Sequence, residues 1–299
     1  MSENAKRFLI RLSYIGTNYR GSQKHVNNTI IDVDSIQGAV ESAFFKILPK
    51  LTKPPNIVFA GRTDAGVHAL TSVAHVDLEC NDGSTIDKAH VIRFMNRYLI
   101  NCNHEIRIHE FYQVSEKFHA RFSATNRVYM YRFLVSKEPD FHQVSIPEIN
   151  RTTHLHCVNF DPEKFKRGLK LFTGVWDFTT FSGKSVEKYR RDEYYFKSHV
   201  KKMDCWMEEA QPLMLPDRLS DKFSYYHVYF SSKGFLYNQI RRIMGALFSL
   251  AVGRVTEDDI LNMLQVPNRA SYRCNSAMPH GLYLKHIEYN KDDIKEIFE

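Results

Sequence analysis

Arg7 to Tyr14 (RFLIRLSY) alternate apolar and polar side chains at the period of a half-buried strand, and Ile15-Gly16-Thr17-Asn18 behind them has turn chemistry. From Ser35 the period changes. Ile36, Val40, Ala43, Phe44 and Ile47 recur at helical spacing, and Pro49 closes the run. Ile57 to Phe59 and Leu70 to Val76 read as strands around a polar loop containing glycines. Asp87 to Leu99 predicts a second helix with Ile92, Phe94, Met95 and Leu99 on its buried side, and Ile106 to Val114 alternates again as a strand. The second half repeats this grammar: a strand at Arg127 to Val135, a helix at Pro162 to Phe172, and strands near Tyr194 to Met203 and at Phe223 to Phe230. A long helix from Phe235 to Val252, a helix at Glu257 to Leu264 and a strand at Leu282 to Tyr289 complete it. None of the strands is the long apolar run needed by a parallel sheet buried on both faces. The pattern therefore predicts an α+β fold of two pseudo-symmetric α/β lobes, with mixed, largely antiparallel sheets and helices on one face. We expect an N-terminal lobe at residues 1–114 and a C-terminal lobe at 115–299, the boundary falling anywhere from about Val114 to Thr153, with Pro139 to Thr153 as the long connector.

Composition narrows the class. The 299 residues are 43% hydrophobic and 25% charged, the balance of a globular chain with a real core. No apolar run approaches the ~18 residues of a membrane span. Met1 to Arg7 is too short, and carries Glu3, to be a leader, so an unprocessed cytoplasmic protein is expected, with a mitochondrial location the alternative. Cys80, Cys102, Cys157, Cys205 and Cys274 lie far apart, which predicts reduced thiols. His154, His156 and Cys157 cluster without a second ligand pair, so we expect strand residues and no metal.

The formal charge of +7 says little until it is resolved along the chain. Lys117 to Lys137 and Lys222 to Thr256 each hold five basic residues and no acid, and Lys184 to Lys202 adds a net +4. The three stretches together carry +14, leaving −7 for the rest. One such stretch is ordinarily a solvated face. Three, interleaved with Tyr and Phe, point to a nucleic acid, because cations meet phosphates and aromatic faces meet bases.

The most informative segment is Ala60-Gly61-Arg62-Thr63-Asp64-Ala65-Gly66-Val67-His68-Ala69. Asp64 is its only acid, and its neighbours are Arg62, His68 and two glycines that permit tight turns. An Asp capping a turn is the bland reading, but it leaves Arg62 and His68 unexplained. One carboxylate cannot carry out paired acid/base glycoside hydrolysis, and it supplies too few ligands for a two-metal nuclease. It can serve as a covalent nucleophile or a lone base.

GRTDAGVHA resembles the signature of the TruA family of tRNA pseudouridine synthases. Phe118-His119-Ala120-Arg121-Phe122-Ser123-Ala124-Thr125 and Arg127-Val128-Tyr129-Met130-Tyr131 are similar to the family's next block. Trp176 to Phe181, Gly234 to Arg242 and His280 to Leu284 follow in the family's order. The resemblance implies an isomerase that needs no cofactor and acts on tRNA, with mRNA a second candidate, as a monomer or homodimer with a basic cleft between its lobes. It also implies roles. Asp64 would be the nucleophile, attacking the uracil ring or the sugar carbon. Tyr129 would stack on the flipped uracil, with Tyr131 the alternative stacker or a core residue. Arg62 would fill the vacated space in the RNA. Arg241 would be the guanidinium that keeps the carboxylate ionised, with Arg242 the alternative and Gly245 leaving room for the incoming carboxylate. Helical spacing, independently of the resemblance, predicts that the long helix buries Leu236, Ile240, Ile243, Leu247 and Leu250. His68 and His119 receive no catalytic role; loop hydrogen bonding or phosphate contact is expected of them.

The chain departs from the family at Ser22, where a large aromatic is usual before Gln23, and at Lys188-Tyr189-Arg190-Arg191. We read both as bearing on tRNA contacts, and the general look as that of a eukaryotic pseudouridine synthase-like branch. Two other classes stay open on sequence: a noncatalytic RNA-binding protein of the same fold, and a metal-dependent nucleic-acid hydrolase.

Overall fold

The computed structural model describes residues 5–24, 32–48, 51–79, 86–138, 141, 143–156, 159–183, 198–214 and 217–297. The chain divides into two compact units, residues 1–127 with 283–299 and residues 128–282. The division falls at Arg127/Val128, within the Val114 to Thr153 range expected for the boundary, and the last strand returns to the first unit.

In the first unit, β1 (Lys6–Tyr14) lies between β4 (Ile106–Val114) and β3 (His68–Leu78), antiparallel to both. The far side of β3 takes β2 (Ile57–Phe59) antiparallel and β10 (Leu282–Tyr289) parallel, the latter through Tyr283 beside His68. Two helices cover this sheet, α1 (Ile36–Ile47) and α2 (Lys88–Asn101), and both start where the sequence offers a cap. The Ser35 side chain accepts from the Gly38 amide and that of Asp87 from the Ala89 amide. Phe44 of α1 packs 5.9 Å from Phe111 of β4, which stacks on Phe8 of β1 at 4.7 Å. The buried row of α2 is Val91, Met95 and Leu99; Ile92 and Phe94 are only half-buried. Phe94 stays at the helix surface because its ring stacks on His90, one turn earlier, at 4.2 Å.

In the second unit the strand order is β5 (Ala124–Ser136), β9 (Phe223–Ser232), β8 (Val200–Ala210), β7 (Gly174–Asp177). β6 (Thr153–Leu155) pairs with β5 in parallel; β8 is antiparallel to both its neighbours. Its helices are α3 (Pro162–Leu171), α4 (Gln239–Ala251) and α5 (Glu257–Gln265), the last opened by a Thr256/Asp259 capping box. Phe133 of β5 sits at the centre of the core, 5.4 Å from Phe165, 5.1 Å from Phe248 and 5.1 Å from Tyr226. Sheets of mostly antiparallel strands with packed helices give the α+β class the periodicity predicts.

Several details differ from the sequence expectation. The long helix begins at Gln239, not Phe235, because Asn238 adopts a left-handed backbone (φ 57°) that no helix continues through, and Leu236 is half-buried. β8 begins at Val200; most of the Lys184 to Lys202 stretch, the Lys188 to Arg191 departure, Cys80 and Cys157 lie outside the described residues. The stretch expected to connect the lobes is part of the second unit. Its Glu148 is 1% exposed and paired with Arg132 at 2.9 Å.

Candidate active site

The Asp64 loop is held from below by backbone and hydroxyl groups. The Ile36 and Gln37 amides at the start of α1 donate to the carbonyls of Gly21 (3.2 Å) and Ser22 (3.0 Å), which anchors that segment on orphan helix-terminal donors. Ser22 then clamps the neighbouring peptide. Its amide donates to the Thr63 carbonyl (3.0 Å), and its Oγ accepts from the Thr63 amide (2.8 Å). Beneath them the Thr63 hydroxyl shares a 2.9 Å bond with the phenol of Tyr14, whose pKa burial pushes up to about 12. Gly21, at φ 125°, forms a single antiparallel bridge to Asp64, and Gly66, at φ 77°, lets the Val67 amide turn back to the Asp64 carbonyl at 3.1 Å. The loop thus fixes the Asp64 backbone while the residue stays half-buried, with Arg62 exposed beside it.

Ser22 is therefore more than a departure touching RNA. It is a structural partner of the Asp64-loop peptide, which local spacing does not reveal because its partner lies 41 positions away. Arg127 was missed in the same way. Its Nη2 donates to the Ala60 carbonyl (2.8 Å) and the Arg121 carbonyl (3.0 Å), tying the GRTDAG and FHARF loops together.

The motif histidines are structural acceptors. His68 is fully buried, its Nδ1 accepts from the Gly16 amide at 2.9 Å, and its ring lies 4.6 Å from that of Tyr283. His119 Nδ1 accepts from the amides of Arg121 (3.2 Å) and Phe122 (3.3 Å), and burial lowers its pKa. Both make loop hydrogen bonds, one of the two roles expected of them.

In the second unit, Tyr129 and Tyr131 have different fates. Tyr131 is fully buried, its hydroxyl bonded to Thr153 Oγ1 (2.7 Å) and the Met278 carbonyl (2.8 Å), and burial raises its pKa strongly. That makes it a core residue, with its polar end closed. Tyr129, 7% exposed, meets Phe235 edge-to-face at 5.1 Å.

The two arginines of α4 separate as well. Arg242 lies over the Tyr272 ring at 3.7 Å and donates to the Thr180 carbonyl at 3.1 Å, a cross-brace between α4 and its surroundings. Arg241 donates from Nε to the Ala277 carbonyl (2.8 Å) and from Nη1 to Asn238 Oδ1 (3.0 Å), while the Ala277 amide donates to its carbonyl. The space beside Gly245 is taken. A Cβ there would come within 1.8 Å of the Asn275 carbonyl oxygen, so the glycine admits the 275–277 segment and not an incoming carboxylate. Arg132, counted among the basic stretches, is 1% exposed and has turned inward to Glu148. Among the described residues no group of three or more His, Cys, Asp or Glu side chains could hold a metal ion, and no helix is long and apolar enough to cross a membrane.

A family model described as tRNA pseudouridine synthase matches residues 169–290. Nearly the whole chain is similar to proteins named tRNA pseudouridine synthase A. That of Dinoroseobacter shibae is 31% identical over 290 residues, covering 97% of this chain and 98% of the relative. The Porphyromonas gingivalis protein is 31% identical over 287 residues (96% and 98%), and the Ehrlichia canis protein 32% over 286 residues (95% and 100%).

Proposed function

Because the chain belongs to the TruA-type tRNA pseudouridine synthase family, whose reaction isomerises uridine to pseudouridine in tRNA, we propose that Asp64 is the nucleophile of that reaction here. The reaction breaks the bond from the sugar carbon to N1 of the base and forms one to C5; the C5 hydrogen leaves as a proton and N1 takes one up, so the composition is unchanged. No oxidant or reductant enters this balance. The observation that carries the assignment is the clamp beneath Asp64. Ser22 hydrogen-bonds the Thr63 backbone, Tyr14 shares a bond with the Thr63 hydroxyl and Gly21 bridges to Asp64, and together they position the loop that carries the carboxylate.

Tyr129 supplies the aromatic face for the extracted uracil, worth about 1–3 kcal/mol, which helps offset the few kcal/mol of flipping a base. Arg62, exposed on the same loop as Asp64, takes the vacated position in the RNA. Arg241 is the guanidinium that serves the anionic chemistry. The commitment of Arg242 to Tyr272 and Thr180 supports that choice over its neighbour. The substrate is tRNA, with mRNA a further candidate. Placement in a eukaryotic-type branch rests on the departures at Ser22 and Lys188–Arg191 alone, and mapping the pseudouridines lost on deleting the gene would test it.

The test of the chemistry is release of tritium from tRNA labelled at uridine C5. Wild-type protein is expected to release it. Asp64→Ala is expected to bind the same RNA and release none. Binding without turnover across many RNAs by the wild type would overturn the catalytic assignment.

A further inference from the structure

Asn238 is an Asn at the N-terminal cap of a helix that does not cap it. Asparagine is among the best residues for that position, because its side-chain oxygen normally accepts from an amide of the first turn. Here the side chain makes no such bond, and the backbone sits in the left-handed region at φ 57° and ψ 10°. The turn is closed by other groups. Gln239 Oε1 accepts from the Leu236 amide (2.8 Å), and the Gln239 amide donates to the Leu236 carbonyl (3.1 Å).

What the Asn238 side chain does instead is accept from Arg241 Nη1 at 3.0 Å, three residues along. On the other side of the same guanidinium, Nε is held by the Ala277 carbonyl at 2.8 Å. Two acceptors on different nitrogens fix the plane of the fork, and both are neutral, so neither cancels its charge. The surroundings leave Asn238 little freedom: the Gly183 amide donates to the Tyr237 carbonyl at 2.7 Å, and a Cβ at Gly183 would come within 2.9 Å of Asn238 Cβ. A residue kept in a costly conformation, deprived of its usual local job and spent on one charged side chain is a mark of functional constraint.

We infer that Asn238 is a positioning residue for the reaction, holding the Arg241 guanidinium in one orientation through its side-chain carbonyl. The inference rests on the role proposed above for Arg241. It differs from that role in that Asn238 acts through Arg241.

Asn238→Gly is the informative variant, since glycine takes the left-handed backbone more easily than asparagine and removes the acceptor without straining the turn. At saturating labelled tRNA its single-turnover rate is expected to fall about tenfold or more. Affinity for tRNA is expected to stay within about twofold and the melting temperature to be unchanged, which a merely structural role would not give. In a double-mutant cycle with Arg241→Lys, the Asn238→Gly, Arg241→Lys protein is expected to be no slower than Arg241→Lys alone. A wild-type rate for Asn238→Gly, or a double variant slowed further by the full Asn238→Gly factor, overturns the inference. If Arg241→Lys itself runs at the wild-type rate, the reading of Arg241 fails and takes this inference with it. The single Arg241 variant reports that outcome separately.

Discussion

Arg132 and Arg241 both stand in acid-free basic stretches of the chain and both end up in the second unit, yet the fold uses them in opposite ways. Arg132, on β5, is surrounded. It donates to Glu148 (2.9 Å), Thr152 Oγ1 (2.8 Å), the Gln211 carbonyl (2.7 Å) and His227 Nε2 (2.8 Å). Glu148 in turn accepts from the Leu213 amide at 2.8 Å and from the Thr152 hydroxyl. The ion pair thereby fastens residues 145–152 and 211–213 to the sheet. Arg241 is held by two neutral oxygens and keeps its charge uncancelled by them. Charge density along a sequence therefore reports how many cations there are, and only their partners decide which are structural.

The contrast can be broken first at Glu148. Removing one member of a buried pair leaves the other uncompensated, so Glu148→Ala is expected to cost about 3–5 kcal/mol of unfolding free energy, read by denaturant titration. Replacing both partners, Arg132→Met with Glu148→Leu, is expected to recover most of that loss. A cost below about 1 kcal/mol for Glu148→Ala would mean that the pair is no brace. Arg241→Ala should show the reverse profile. We expect a drop in kcat of about 10²–10³-fold, the scale of one lost electrostatic contact to developing charge. Its stability loss should be about 1 kcal/mol, the worth of its hydrogen bonds. Equal losses in both readouts would erase the difference between the two arginines.

Much of the fold was legible because its elements follow local rules. Ser35 and Asp87 cap the helices they precede, β1 and β4 alternate, and Pro162 opens α3. The start of α4 was not, because helical periodicity passes through Asn238 without registering that its backbone is left-handed. On α2, Met95 and Leu99 were legible as buried, but Ile92 and Phe94 are only half-buried, Phe94 stacking on His90 at the surface. At the site, motif residues were found by resemblance, but their supports were not. Ser22, Arg127 and Glu148 act on partners 41, 67 and 16 residues away, and nothing in local spacing reveals such pairs. Gly245 shows the opposite error: a small residue was read as space, whereas the chain fills it with the 275 carbonyl.

The FHARF loop puts inward and outward groups side by side and sharpens the comparison in the first unit. His75 Nδ1 accepts from the Ala120 amide at 3.1 Å, and burial, then the charge of Arg7, lowers its pKa to about 4. A histidine kept neutral on folding binds fewer protons than in the unfolded chain between pH 6.5 and about 4. Stability should therefore be complete above about pH 6.5 and fall as the pH drops toward 4. His75→Gln is expected to flatten that slope in pH-dependent unfolding; an unchanged slope would show that other groups cause it.

Arg121 and Phe122 face outward from the same loop, with the guanidinium 5.7 Å from the ring and Phe122 75% exposed. Their own amides are satisfied by His119, so the loop needs neither side chain to keep its shape. Arg121→Ala is therefore expected to move stability by less than about 0.5 kcal/mol. If this cation meets a tRNA phosphate, the same change reduces the slope of log affinity against log salt by about 1, uniformly across tRNAs. A melting shift with an unchanged salt slope would place Arg121 with Arg132, among the cations that hold the fold, and reduce further the share of the +7 charge that is left to meet RNA.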